Sequence, residues 1–485
     1  MRRSLGPIAL IVAISWLPGC TVGPEYQPPA APEGATAAFV SVNPAAETAI
    51  EGDDAWWRLY NDPVLDKLIG EALAANTDLK AAEANLAAAR AVFEAARSNQ
   101  YPTTEVTAGA IYGRDPVTNE ILEIGGHQPK SDWTFDAVFD MAYEVDLFGH
   151  VRRSIEAAQA NSDAVAAARD GLKVTIAAET ARAYAQFCTL GEQLAVAQHS
   201  VSLVTREAEI TTERYKAGAN TDLDVARAQG LVAQVQSAVP PLEGQRRAAL
   251  FELAALLGRT PVNAPAEVQN CASPPRLAAL IPVGDGAALL RRRPDIRAAD
   301  RRLASATAQI GVATADLYPR ISLTGFWGGA SDKVDLLDTA KGLTWGVGPS
   351  VSWSFPNQAL PRARIRQAKA AAAAALDNFD STVLQALKET SQALSTYSSE
   401  LDHRAALGNF QTREREAFNL AHDQFAVGTA SYIDLLTAEQ ALVAADEAAA
   451  ASDTAVAQDQ IAVFKALGGG WKVNPSEAKN SGQDR

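Results

Sequence analysis

The side chains in this 485-residue sequence that could do chemistry are five histidines, three cysteines and a few patterned charges. His127, His150, His199, His403 and His422 lack any His-x-x-x-His spacing, and the cysteines lack Cys-x-x-Cys, so no metal site is indicated. There is no phosphate-binding Walker loop, no Gly-x-Ser-x-Gly elbow and no Gly-x-Gly-x-x-Gly after a strand pattern. Catalysis is therefore not expected, and no cofactor is expected with it. Asp136, Asp140 and Glu144 fall on one side of an alternating run. Carboxylates in such a row concentrate cations and repel anions, or they merely solubilise that face; the pattern allows both. Arg291, Arg292, Arg293, Arg297, Arg301 and Arg302 look at first like a nucleic-acid patch. In a chain of net charge -14 they read better as a solvated or acid-paired helix face, and nucleic acid is not expected as a partner.

Cys20 is the remaining candidate for covalent chemistry. Met1-Arg2-Arg3, a short apolar run from Ile8 to Leu17 and Leu17-Pro18-Gly19-Cys20 make a signal peptide rather than a membrane span. The last four residues resemble a lipobox, in which cleavage leaves Cys20 as an acylated N-terminus. Removing residues 1–19 takes two arginines and no acid, which leaves 41 basic against 57 acidic residues. Thr21 in place of Asp after the cysteine suggests, by resemblance to bacterial lipoproteins, the outer membrane. Cys188 and Cys271 would then sit in an oxidising compartment. They could pair if brought close, and the sequence leaves that open.

Two kinds of element must carry these residues. From Trp133 the apolar side chains alternate through Phe135, Ala137, Phe139, Met141, Tyr143 and Val145, with Thr134, Asp136, Asp140, Glu144 and Asp146 between them. This is a strand with one apolar and one wet face. Leu343, Trp345, Val347, Val351, Trp353 and Phe355 repeat the pattern, and Val106–Gly113 and Ile321–Gly328 supply a weaker first strand to each pair. No run after Cys20 is apolar for the ~18 residues that a spanning helix needs, so any membrane span must come from strands. Four strands cannot close a membrane barrel, the smallest of which have about eight, so several chains must share one.

The chain also repeats itself. Asn76-Thr77-Asp78-Leu79-Lys80-Ala81-Ala82 matches Arg293-Pro294-Asp295-Ile296-Arg297-Ala298-Ala299, and Tyr101-Pro102 matches Tyr318-Pro319 at the same offset. Tyr215-Lys216-Ala217-Gly218 likewise matches Phe425-Ala426-Val427-Gly428. Each copy opens with an Ala-rich helix (about 64–100 and 285–316) and follows its strands with a long proline-free run, Val151 to Val239 and Arg362 to Asn474. Gly218 and Gly428 are where these runs fold back, because glycine takes the left-handed conformation that ends a helix. The limb over 151–217 would reach roughly 100 Å at 1.5 Å per residue, with alanine runs that let helices approach closely.

At this point five stretches, in order, resemble the TolC-like outer-membrane factors in their lipoprotein (NodT-type) branch. They are Cys20-Thr21-Val22-Gly23-Pro24-Glu25-Tyr26 with Trp56-Trp57-Arg58-Leu59-Tyr60; Leu289-Leu290-Arg291-Arg292-Arg293-Pro294-Asp295-Ile296-Arg297 through Leu317-Tyr318-Pro319-Arg320; Asp146-Leu147-Phe148-Gly149; Arg214-Tyr215-Lys216-Ala217-Gly218 with Asp222-Leu223-Asp224; and Phe464-Lys465-Ala466-Leu467-Gly468-Gly469-Gly470-Trp471. The resemblance implies a mostly α membrane protein of α+β class: a homotrimer with a long antiparallel helical barrel and a shared twelve-stranded outer-membrane β-barrel. It implies a periplasmic adaptor and an inner-membrane pump of the resistance-nodulation-division type as partners, with outer-membrane lipid around the strands. It places the periplasmic gate at Gln424, Phe425 and Asp434, with Arg214, Tyr215, Asp222 and Asp224 on the other turn, and adaptor docking at both turns. Gln424-Phe425 stands where the family more usually has Arg-Tyr, so one ion pair and one phenol hydroxyl are missing.

The expected organisation is a signal peptide over 1–19, a lipidated extended segment over 20–62, repeat 1 over 63–258, an equatorial linker over 259–284, repeat 2 over 285–467 and a tail over 468–485. The strands are expected within 103–146 and 320–355. The expected function is passive exit of small amphipathic compounds through the outer membrane. The same duct would serve protein or metal-ion export, and the helices alone would suit a periplasmic coiled-coil scaffold.

Overall fold

The computed structural model describes residues 21–40, 43–44, 46–48, 50, 55–114, 124–125, 131–271, 273–277 and 280–469. The signal peptide, Cys20, His127 and Trp471 lie outside them, as does the tail beyond Gly469. The chain divides into two units. One comprises residues 1–29, 86–165 and 299–379; the other comprises 30–85, 166–298 and 380–485.

The first unit carries the sheet. Its strands are β1 (Thr103–Gly113), β2 (Asp132–Val145), β3 (Arg320–Ser331) and β4 (Leu343–Ser352), all antiparallel in the order β1-β2-β3-β4. The register puts Val106 opposite Phe139, Phe139 opposite Trp327, and Trp327 opposite Trp345. Because residues opposite one another share a face, the apolar sets of all four strands fall on the same side. That side is uncovered: Val106 is 74 % exposed, Trp345 69 % and Val347 68 %. In water such a surface would cost about 25 cal/mol per Å². Strands of 10–14 residues are long enough to cross a bilayer core. No helix among the described residues is long and apolar enough to do so.

The last strand stops at Ser352, short of the expected extension through Phe355. Trp353 turns its indole N–H to the Leu317 carbonyl (3.0 Å) and stacks on Phe355, so both aromatics belong to the chain's exit from the sheet. The helix expected over about 64–100 is two helices, α1 (Pro63–Ala75) and α2 (Thr77–Ser98). Asn76 breaks it, since its Oδ1 accepts from the amides of Asp78 and Leu79 and so caps α2. In the second half Arg293 and Pro294 make the same break between α5 (Gly286–Arg292) and α6 (Pro294–Ala315).

The long helices are α3 (His150–Lys216), α4 (Asp222–Leu256), α7 (Ala359–Ala426) and α8 (Tyr432–Ala466). Their lengths pair off as 67 with 68 and 35 with 35. α4 runs past the proline-free stretch, through Pro240 and Pro241. Each proline removes a ladder donor, and the helix persists because Ala249, Leu253 and Ala254 beyond them are fully buried.

In the second unit the N-terminal segment is held by aromatic packing. Trp56 stacks on Phe464 at 4.7 Å, and the Tyr184 hydroxyl donates to Asp62 (2.8 Å), whose other oxygen caps α1. Cys188 and Cys271 form a disulfide, with a Cα separation of 5.0 Å. Arg246 sets the loop side of that bridge by donating to the carbonyls of Gln269 and Cys271 while lying over the Phe187 ring.

Candidate functional site

The wet face of the sheet gathers Asp136, Asp140 and Glu144 on β2, as the alternation requires. Opposite Asp140 on β1 stands Glu105, which the weak pattern of that strand did not single out. Like charges directly opposite one another weaken a strand pair. The pair is tolerable only where water or cations screen it. Gly109 faces Asp136 closely enough that a Cβ there would meet its carboxylate, and Phe326 lies across Gly346, so glycines make room for the side chains of this face.

The two turns are built alike from local chemistry. Gly218 and Gly428 have φ of +77° and +82°. The Gly218 amide donates to Tyr215 O (2.9 Å) and Ala219 N to Arg214 O (2.8 Å). Gly428 and Thr429 repeat these bonds to Phe425 O (3.1 Å) and Gln424 O (2.9 Å). Each left-handed glycine thus closes the last carbonyls of its helix. The next helix starts with a capping box, Thr221 with Asp224 and Ser431 with Asp434. Asp434 accepts from the Ser431 hydroxyl (2.6 Å) and amide (3.1 Å), and those bonds hold its carboxyl below the usual range although it is fully exposed.

The turns are joined by Arg214. Its guanidinium lies 4.2 Å from the Phe425 ring centre, and Nη1 donates to Phe425 O (3.1 Å). Phe425 itself is buried, 5.9 Å from the ring of Tyr432. Burial pushes the Tyr432 phenol up to about 12. Of the residues assigned to the gate, Gln424, Tyr215, Asp222 and Asp434 are exposed, whereas Phe425 is committed to packing within its own chain. The core beneath contains Val204, Leu231, Leu435 and Leu442, so the two hairpins form one packed body.

Three arginines of the run, Arg293, Arg297 and Arg301, form ion pairs, and Arg302 is exposed. Arg293 is buried between Asp295 (2.7 Å), Glu389 (2.8 Å) and the Ala466 carbonyl (2.9 Å), while Arg297 reaches Asp170 and Arg301 reaches Asp300. Cys20 lies outside the described residues, but its neighbour is fixed. Thr21 Oγ1 accepts from Arg152 (2.9 Å), and Val22 N donates to Phe148 O at the foot of β2.

This arrangement of an uncovered apolar sheet face, a wet opposite face and paired helical turns has counterparts. The model for outer membrane efflux proteins matches residues 68–259 and 287–469. The chain belongs to the outer membrane efflux protein family. It is 27% identical to the solvent efflux pump outer membrane protein SrpC of Pseudomonas putida, over 97% of this chain and 99% of that one. It is 29% identical to nodulation protein T of Rhizobium leguminosarum bv. trifolii, over 88% and 89%. The outer-membrane channel OprN superposes with a TM-score of 0.86 at 34% identity, covering 93% of this chain and all of that one. Family membership puts the chain in the outer membrane and makes it an efflux channel protein, not an enzyme.

Proposed function

We propose that this chain is one of three identical subunits of an exit duct that passively conducts small amphipathic compounds outward. The observation that carries this is the sheet: among the described residues, four strands with one apolar and one wet face, and with β1 and β4 left as open edges. In hydrocarbon an open edge leaves a row of unpaired amides and carbonyls, so each edge must be closed by another copy. Three copies supply twelve strands, an even count within the range of membrane barrels. The wet faces then line the lumen with Glu105, Asp136, Asp140 and Glu144.

In this reading residues 63–258 and 285–467 are two copies of one unit, and Cys20 carries the acyl chains. The turns at Gly218 and Gly428 dock a periplasmic adaptor and hold the periplasmic end closed, with Asp434 contributing to that closure. An inner-membrane pump of the resistance-nodulation-division type supplies the energy and selects the substrate. That SrpC is a solvent efflux pump component supports small apolar cargo.

The purified protein is expected to run as a heat-modifiable trimer and to give ion conductance in planar bilayers. A monomer that conducts nothing would overturn the shared barrel. Cys20→Ala should abolish labelling by radioactive palmitate, and label that persists rules out acylation at this residue.

A further inference from the structure

Beneath the paired turns the apolar core contains two acids that its logic should exclude. Glu439 follows Leu435 and Leu436 by one helical turn and precedes Leu442 by another, which puts it on the buried stripe of α8. It is 1 % exposed, its Oε1 has no hydrogen-bond partner, and among the described residues it forms no ion pair. Glu207 on α3 is 5 % exposed and close enough to act on Glu439 electrostatically. An unpaired buried carboxylate costs several kcal/mol, so such a group keeps its proton where it can.

The surroundings offer little positive charge. From α3 come Arg206, which is exposed, and Glu207 itself. From α7 comes His422, with Nε2 at 3.6 Å from Glu207 and Nδ1 at 3.6 Å from Asp423. α4 contributes Asp224, and α8 contributes Tyr432. Among the described residues the groups drawing a proton off are His422 and Arg206, and both act on Glu207.

We infer that Glu207 and Glu439 together hold a buried proton, and that losing it loosens the packing of the two turns. Burial first, and then the charge of Glu207, raises the Glu439 carboxyl to about 7. Burial raises Glu207 as well. A carboxyl raised in the packed state binds its proton more tightly there than in the opened one. Its stabilisation is therefore complete below the ordinary carboxylate range and is lost as pH rises from there through about 7. The consequence for closure rests on the reading of the turns given above; the proton site does not.

The test is hydrogen exchange of the trimer in detergent, followed over residues 203–215 and 432–443 and corrected for the intrinsic pH dependence of exchange. For a carboxyl that is ordinary when the turns open and near 7 when they pack, the opening constant should rise about thirty-fold between pH 5.5 and 8.5. In Glu439→Gln, which fixes the neutral shape, the rise should shrink to a few-fold, the remainder coming from Glu207. Glu207→Gln should lower the midpoint by removing the neighbouring charge. An infrared difference spectrum between the two pH values should show a protonated buried carboxyl in the wild type that Glu439→Gln lacks. A flat wild-type profile, or a full rise in Glu439→Gln, overturns the proton pair. A trimer that never conducts speaks instead against the duct.

Discussion

Replacing Arg214 with glutamine isolates the contact that joins the two turns. The guanidinium contributes a face-on approach to Phe425 at 4.2 Å and a charged hydrogen bond to its carbonyl at 3.1 Å. The first is worth about 1 kcal/mol and the second about 1.5–3 kcal/mol; with Arg214 half-exposed, about 2 kcal/mol in total is reasonable. Glutamine neither reaches the ring nor carries the charge. At 1.4 kcal/mol per factor of ten, the ratio of open to closed turns should rise about thirty-fold. Single-channel recording in planar bilayers reads this as open probability. Lys216→Gln is the control, because its partner Glu213 is exposed and such a pair is worth little. A double-mutant cycle with Phe425→Leu should give a coupling of about 1 kcal/mol. An Arg214→Gln channel as closed as the wild type would refute the idea that this contact holds the turns together, and so would an equal effect from Lys216→Gln.

Three other outcomes are expected. Removing both opposed acids, Glu105→Gln with Asp140→Asn, should leave assembly intact and lower cation-over-anion selectivity several-fold by reversal potential; unchanged selectivity would make the acids mere solubilisers of the wall. Cys271→Ser opens a loop spanning 83 residues, so about 4.5 kcal/mol of chain-entropy stabilisation should be lost, seen as a lower denaturation midpoint, and an oxidised wild type whose gel mobility ignores reductant would contradict the bridge. The stabilisation that Asp434 gives its cap is present above the usual carboxylate range and lost as acid takes the pH through its depressed value. Amide exchange over 432–435 should therefore quicken in acid, a step that Asp434→Asn abolishes. In the proposed trimer the same variant should raise conductance, and no change would leave Asp434 a cap alone.

The parts of the fold that follow from periodicity were legible in the sequence. Alternation from Trp133 to Val145 located β2 and its wet acids, and the glycines located both reversals. Features that depend on which elements meet were not legible. Glu105 became significant only when the register set it opposite Asp140. Arg214 and Phe425 are 211 positions apart, and their contact exists because two hairpins pack. Asn76 looks like any helical polar residue until its side chain is seen capping α2, and what carries α4 through Pro240 and Pro241 is burial further along the helix, which is invisible to local propensity. The helical spacing of Leu435, Leu436, Glu439 and Leu442 did carry a signal, an acid in an apolar seam, that a stricter count of the pattern could have caught. Cys188 and Cys271 were legible as two thiols in an oxidising compartment that could pair, but not as a bridge, since a helix and a loop meet only in the folded chain.

The sealed ends of the two hairpins have an evolutionary consequence. Each bend satisfies its own carbonyls and amides through a glycine and a hydroxyl–carboxylate pair, so neither depends on an outside protein for its shape. The exposed residues around them, Tyr215, Lys216 and Val427 among them, are therefore free to drift without unravelling a helix. A lineage could exchange one partner for another by rewriting a handful of surface positions, while the scaffold that presents them stays unchanged.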